Sequence, residues 1–113
     1  MADDTKHDFL IRKFDCPQDL FGEGKFIIRK RRIKTKIVRQ MEAAVKARMD
    51  FDELYELMAR YTVEWNIDDI DSGEPLPQPY ENSAVFDELD SGEQLPWVVN
   101  IVFLNPPNFP RGR

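Results

Sequence analysis

Ile33-Lys-Thr-Lys-Ile-Val-Arg-Gln-Met-Glu-Ala-Ala-Val-Lys-Ala-Arg-Met49, followed at once by Asp50-Phe-Asp-Glu-Leu-Tyr-Glu-Leu-Met-Ala-Arg-Tyr-Thr-Val-Glu-Trp65, is the stretch on which the fold turns. Ile33, Ile37, Met41, Ala44, Val45 and Met49 recur at spacings of three and four, which places them on one stripe of an amphipathic helix, with Lys34, Arg39, Glu42 and Lys46 facing outward. Asp50 stands three residues before Glu53, a capping-box spacing that starts a second helix. Its seam is Phe51, Leu54, Tyr55, Met58, Tyr61, Thr62 and Trp65, and Asn66 is placed to end it. The sequence therefore predicts a helical hairpin over 33–65.

On the N-terminal side, Asp8-Phe-Leu-Ile-Arg-Lys-Phe14 and Lys25-Phe-Ile-Ile-Arg29 are short aromatic and β-branched runs separated by a stretch holding Pro17, Gly22 and Gly24. Such residues fit a pleated, half-buried surface, so 8–30 reads as an antiparallel β-hairpin. On the C-terminal side, residues 66–82 carry Pro75, Pro77 and Pro79 among acids and read as an acidic, proline-rich loop. Ser83 is positioned to cap a short helix through Leu89, and Pro96 to open a final helix over Trp97–Leu104, for which a strand is the competing reading because Val98, Val99, Ile101 and Val102 are β-branched. The expected architecture is α+β, mostly helical: one domain over 1–104, with the hairpin packed on the helical pair, short helices over 83–104, and a flexible tail at 105–113. Asp71-Ser-Gly-Glu-Pro-Leu-Pro77 and Asp90-Ser-Gly-Glu-Gln-Leu-Pro96 agree at six of seven positions. The echo reads as two similar Ser-Gly turns rather than a fold-building repeat, which needs more and longer copies.

The chain has 113 residues, a formal net charge of −5, one Cys and one His. Its length suits one modest core. Cys16 has no partner for a disulfide, no Cys/His cluster is spaced for zinc, and Met-Ala-Asp-Asp lacks the apolar run of a signal peptide. A soluble intracellular protein is expected. Charge is divided along the chain. Residues 25–48 hold ten Lys/Arg against one acid, Glu42, whereas residues 49–110 hold fourteen acids against one base, Arg60. A division of this kind folds back on itself or meets a charged partner.

Catalytic chemistry has little to work with. His7 is the only imidazole, and no phosphate-cradling glycine motif occurs. Asp68, Asp69, Asp71 and Glu74 lack the glycine and terminal acid that a calcium loop requires at its sixth and twelfth positions, and read as a solvated acidic turn. No enzyme, metal or cofactor is expected. Arg29-Lys-Arg-Arg-Ile-Lys-Thr-Lys36 places six basic residues in eight positions, which raises a nucleic-acid reading; the overall acidity and the absence of an interleaved aromatic argue against it. Trp65 reads as core. Trp97, Phe103 and Phe109 read instead as an exposed apolar patch for a protein partner, with Arg29, Lys30, Arg31 and Arg32 as its basic complement.

The order of these features, above all Trp65-Asn-Ile-Asp-Asp69 followed by Gly73-Glu-Pro-Leu-Pro77, resembles the small tail assembly chaperones of long-tailed bacteriophages over about residues 25–104. The resemblance implies a non-catalytic, non-structural protein of the bacterial host cytoplasm, absent from the finished virion. It would coat the helical tape measure protein, meet tail-tube subunits as they assemble, and possess a longer frameshifted product. Self-association and a small nucleic-acid-binding regulator using 29–36 are the other expectations.

Overall fold

The computed structural model describes residues 10–47 and 51–104. Strand β1 (Ile11–Asp15) pairs antiparallel with β2 (Phe26–Lys30), Phe14 lying opposite Ile27 and Arg12 opposite Arg29. Between them, the turn-rich stretch contains one short helical turn, α1 (Gln18–Phe21). Helices α2 (Thr35–Ala47) and α3 (Phe51–Tyr61) follow, and the centre of the stripe read from the sequence is buried: Ile37, Met41 and Ala44 on α2, and Leu54, Tyr55 and Met58 on α3; Phe51, expected on the seam, is exposed at the start of α3, and Met49 lies outside the described residues. Asp50, whose capping role was expected, lies outside the described residues, as do His7 and the tail at 105–113. The α+β class, with its N-terminal hairpin, is as expected.

The second helix ends earlier than its periodicity implies. It stops at Tyr61, and Thr62–Trp65 turns into strand β3, which pairs antiparallel with β2 to give the sheet order β1-β2-β3. Thr62 and Trp65, three apart, both face inward, which reads as helical spacing. In the structure a register irregularity between Ile28 and Arg29 gives a strand that same spacing. The Thr62 hydroxyl donates to the Met58 carbonyl at 2.8 Å, closing the last turn of α3. Asn66 caps no helix. Its side-chain oxygen accepts from the Phe26 N–H at 2.7 Å and its amide donates to the Gly24 carbonyl at 2.9 Å, sewing the end of β3 to the start of β2.

Trp65 is a core residue, as expected, at 1% exposure. Its ring meets Phe86 edge-on at 5.4 Å, and its indole N–H donates to the Pro77 carbonyl at 3.0 Å, which anchors the proline segment across the strand. Gln78 completes the outer edge of β3. Its amide accepts from the Trp65 N–H and donates to the Trp65 carbonyl, both at 2.9 Å, standing in for a neighbouring strand.

After this come a 3₁₀ helix (Ser83–Glu88), a short helix α4 (Gln94–Trp97) and a π-helix (Val98–Phe103). Asn82, not Ser83, supplies the first cap, its side chain accepting from the Ala84 N–H. The final segment is helical rather than extended, but it opens at Gln94, before Pro96, and widens so that Val98, Val99, Val102 and Phe103 all turn inward. These four, with Met41, Leu54, Met58, Ile27, Val85 and Phe86, form the core between the sheet and the helices.

Similar sequence does not make the two echoed segments similar structure. In the first, Asp68 bridges to Pro75 and Gly73 adopts a φ of 76°, closing a narrow loop. In the second, the Asp90 carboxylate accepts from the N–H groups of Glu93 and Gln94 and leads into α4. The single differing position separates them. Gln94, only 4% exposed, donates from its amide to the Leu20 carbonyl and accepts from the Asp90 N–H, both at 2.9 Å, and the proline present in the first copy offers neither group.

Candidate functional site

Alternation along β1 and β2 sorts the basic cluster into two faces. Arg12, Phe14, Ile27 and Arg29 point toward the helices; Ile11, Lys13, Ile28 and Lys30 point away, and none of these four is fully buried. Arg29 is consequently no surface contact. It is 5% exposed; its Nε donates to the Val102 carbonyl at 2.6 Å, and its Nη1 donates to the carbonyls of Lys30 and Arg31 at 2.5 and 3.1 Å. Its guanidinium also sits 5.3 Å from the Phe14 ring centre and 6.0 Å from that of Phe103. Val102 lies in the last turn of the π-helix, where carbonyls lack an intrahelical donor, and Arg29 supplies one. Burial foremost, then the neighbouring charges of Arg12 and Arg31, pull the Arg29 pKa down to about 10. At neutral pH it remains a cation, bracing the sheet to the C-terminal helix.

The expected aromatic patch is likewise dissolved. Phe103 is 3% exposed and belongs to the core; Trp97 is half-buried, its ring edge-on to Phe21 at 5.5 Å; Phe109 lies outside the described residues. The π-helix explains this. By turning Phe103 inward with Val102, it leaves Asn100 and Ile101 as the outward pair.

An open surface is found elsewhere, where the end of β2 meets the starts of β1 and β3. Leu10, Ile11 and Val63 form the apolar walls, and Lys30 and Arg32 the basic rim, of a groove of about 390 Å³. Leu10 is 58% exposed and Val63 38%. The Lys30 ammonium sits 5.6 Å from the Tyr61 ring centre, which holds the cation over the rim. Of the basic residues singled out from the sequence, the fold brings Lys30 and Arg32 to this groove, buries Arg29 and leaves Arg31 half-buried. Leu10 was missed as a site residue because it sits in an apolar run that also describes core, and Val63 because a single apolar side chain off the helical seam reads as ordinary surface; only the tertiary structure brings the two together. Lys34, just ahead of α2, and Lys36, Arg39 and Lys46 along it are all exposed and extend the cationic surface.

Two reactive side chains among the described residues, Cys16 and Tyr55, are held protonated by burial. Cys16 is buried, and burial, assisted by the charge of Asp15, pushes its thiol up to about 12, so at neutral pH it is neither thiolate nor nucleophile. Tyr55 donates to an Asp87 carboxylate oxygen at 2.8 Å, and burial followed by that bond pushes its phenol upward. Among the described residues no three His, Cys, Asp or Glu side chains gather as metal ligands, and no helix is long and apolar enough to cross a membrane.

Fold and surface together define an α+β domain with an apolar groove rimmed by cations at one end of a three-stranded sheet. No protein-family model, curated protein or solved structure matches the chain.

Proposed function

We propose that this protein is a non-catalytic phage tail assembly chaperone, which binds the tape measure protein in the host cytoplasm, keeps it soluble while tail-tube subunits gather around it, and stays out of the mature virion. The observation that carries the reading is the groove of Leu10, Ile11 and Val63 with Lys30 and Arg32 at its rim. A long helical client presents apolar side chains in a row with charged ones beside them. Apolar walls remove the former from water, and the cations favour clients whose flanking residues are acidic. Holding by mass action needs no nucleotide: the soluble form is favoured by RT ln(1 + [L]/Kd). Lys30, Arg31 and Arg32 remain in the proposed contact. Arg29 and Phe103 do not, because their side chains are committed to the interior.

Co-expression with a tape measure protein tests this. The soluble fraction of the client should rise several-fold with the wild-type chain and fall back with Lys30→Glu. A client equally insoluble with and without the protein would remove the reading.

The exposed cations of α2 favour one second reading, a small nucleic-acid-binding regulator. It requires binding that weakens steeply with salt, through Lys34, Lys36 and Arg39 rather than Arg29. Salt-independent or absent binding to duplex and single strands would dispose of it.

A further inference from the structure

Ile70 is 54% exposed, and its place in the fold sets it apart from the other exposed apolar side chains. Phe51 stacks on Tyr55 within its own helix, and Tyr80 lines a shallow depression beside Pro79. Ile70 instead stands in the loop over 68–75, a segment that also carries Asp69, Asp71 and Glu74. That loop is built to hold its shape. Asp68 bridges to Pro75; the Asp69 N–H donates to the Glu74 carbonyl and the Gly73 N–H to the Asp69 carbonyl, both at 2.8 Å. The Asp69 carboxylate accepts from the Ser72 hydroxyl at 2.9 Å, and the Ser72 oxygen accepts in turn from the Glu74 N–H at 3.1 Å. Lys25 pins the base through Asp68 at 2.9 Å. The result is an exposed apolar side chain on an acidic loop, already ordered, so docking it costs little conformational entropy.

The chemistry of this loop is the inverse of the groove: an exposed β-branched side chain in an acidic segment complements apolar walls rimmed by Lys30 and Arg32. Topology keeps the two apart within one molecule. Ile27 pairs with Trp65, so the chain leaving β3 reaches Asp68 beside Lys25, just ahead of the start of β2. The groove lies at the other end, where β2 finishes at Lys30 and β3 begins near Val63. We infer that the Ile70 loop of one copy docks into the Leu10–Val63 groove of a second copy of this chain. The contact is heterologous at the level of patches, joining unlike surfaces, and so either propagates or closes reciprocally. It uses the groove assigned above to the client, so self-association and client compete, and stored oligomers release their grooves as client is made. That competition rests on the client-binding reading; the self-association does not.

The test is sedimentation velocity of the purified full chain over a range of concentrations, with no client present. Wild type should associate reversibly, at least about tenfold more weakly in high salt than in low, as charges within a Debye length require. Ile70→Asp and, separately, Leu10→Glu should each remain monomeric, with circular dichroism unchanged because both side chains are exposed. Val63→Glu serves as a second groove variant. Mixing Ile70→Asp with Leu10→Glu leaves one intact groove and one intact loop, and association should return as a 1:1 pair. A monomeric wild type at every concentration, undiminished association of Ile70→Asp, or a mixture that stays monomeric would each overturn the proposal. None of these outcomes touches client binding, which is read separately by co-expression.

Discussion

Replacing Arg29 by methionine probes the brace between sheet and C-terminal helix. Methionine keeps the unbranched stem and most of the volume but donates no hydrogen bond. The carbonyls of Lys30 and Arg31 lie near the surface and can turn to water, so their loss is nearly compensated. The Val102 bond is buried, and orphaning that carbonyl costs about 1–3 kcal/mol, while charge-assisted bonds of this kind contribute about 1.5–3 kcal/mol. Relief from burying a guanidinium works the other way, since its depressed pKa shows that the interior disfavours the charge. The expected net loss is about 2–3 kcal/mol, or a Tm lower by about 10–15 °C for a domain of this size. Urea unfolding followed by tryptophan fluorescence measures it, with a lower midpoint and an unchanged slope. Arg29→Lys should fall between, because an ammonium reaches fewer of the three carbonyls. Arg29→Met unfolding within about 0.5 kcal/mol of wild type, or later, would refute the reasoning and show that hydrophobic replacement compensates the lost carbonyl donors. Because the folded pKa is lowered to about 10, the unfolded chain binds the extra proton above that pH; Arg29 adds stability as pH rises past about 10 and adds no slope at pH 6–9.

Four further outcomes are expected. Gln94→Pro, which makes the two echoed segments identical, should cost about 2–3 kcal/mol in thermal unfolding, because it deletes the bonds to Leu20 and Asp90 and places a proline after Glu93, whose ψ of −48° prolines disfavour; Pro75→Gln, on the exposed loop, should stay within about 0.5 kcal/mol. For Cys16 the folded pKa is raised from 9.0 to about 12, so the folded state holds its proton while the unfolded thiol ionises; stability should be flat below pH 9 and fall between pH 9 and 12, a fall that Cys16→Ala should diminish in pH-resolved melts. Asn66→Ala should destabilise by about 1–2 kcal/mol and raise hydrogen exchange at the Phe26 amide, which loses its acceptor. Arg29→Met, assayed below its Tm, should retain client solubilisation that Lys30→Glu loses, because only the lysine stands on the groove rim.

The helix pair was legible because α2 and α3 bury most of the residues that their three- and four-residue spacings nominate, Phe51 at the start of α3 excepted, and local amphipathicity needs no knowledge of what lies opposite. The hairpin was legible for a similarly local reason: aromatic and β-branched residues cluster in two short runs around Phe14 and Ile27, and Gly22 and Gly24 mark the turn between them. The site was less so. A basic residue in a charged run reads as solvated, and nothing local distinguishes Arg29 from Lys30; the alternation that separates them becomes visible only once the strand extends through both.

By itself, then, the sequence determined the N-terminal hairpin and the two central helices, most of the apolar faces of those helices, and that charge is divided along the chain, since each of these depends on neighbours a few residues away. Tertiary structure alone decided three things. Thr62–Trp65 became a strand because β2 offered an open edge; Arg29 went inward because the last turn of the π-helix presented a carbonyl needing a donor; and two nearly identical heptads became different turns because Leu20 stands beside only one of them. Each outcome satisfies a backbone polar group by a residue more than thirty positions distant, and no local pattern carries that information.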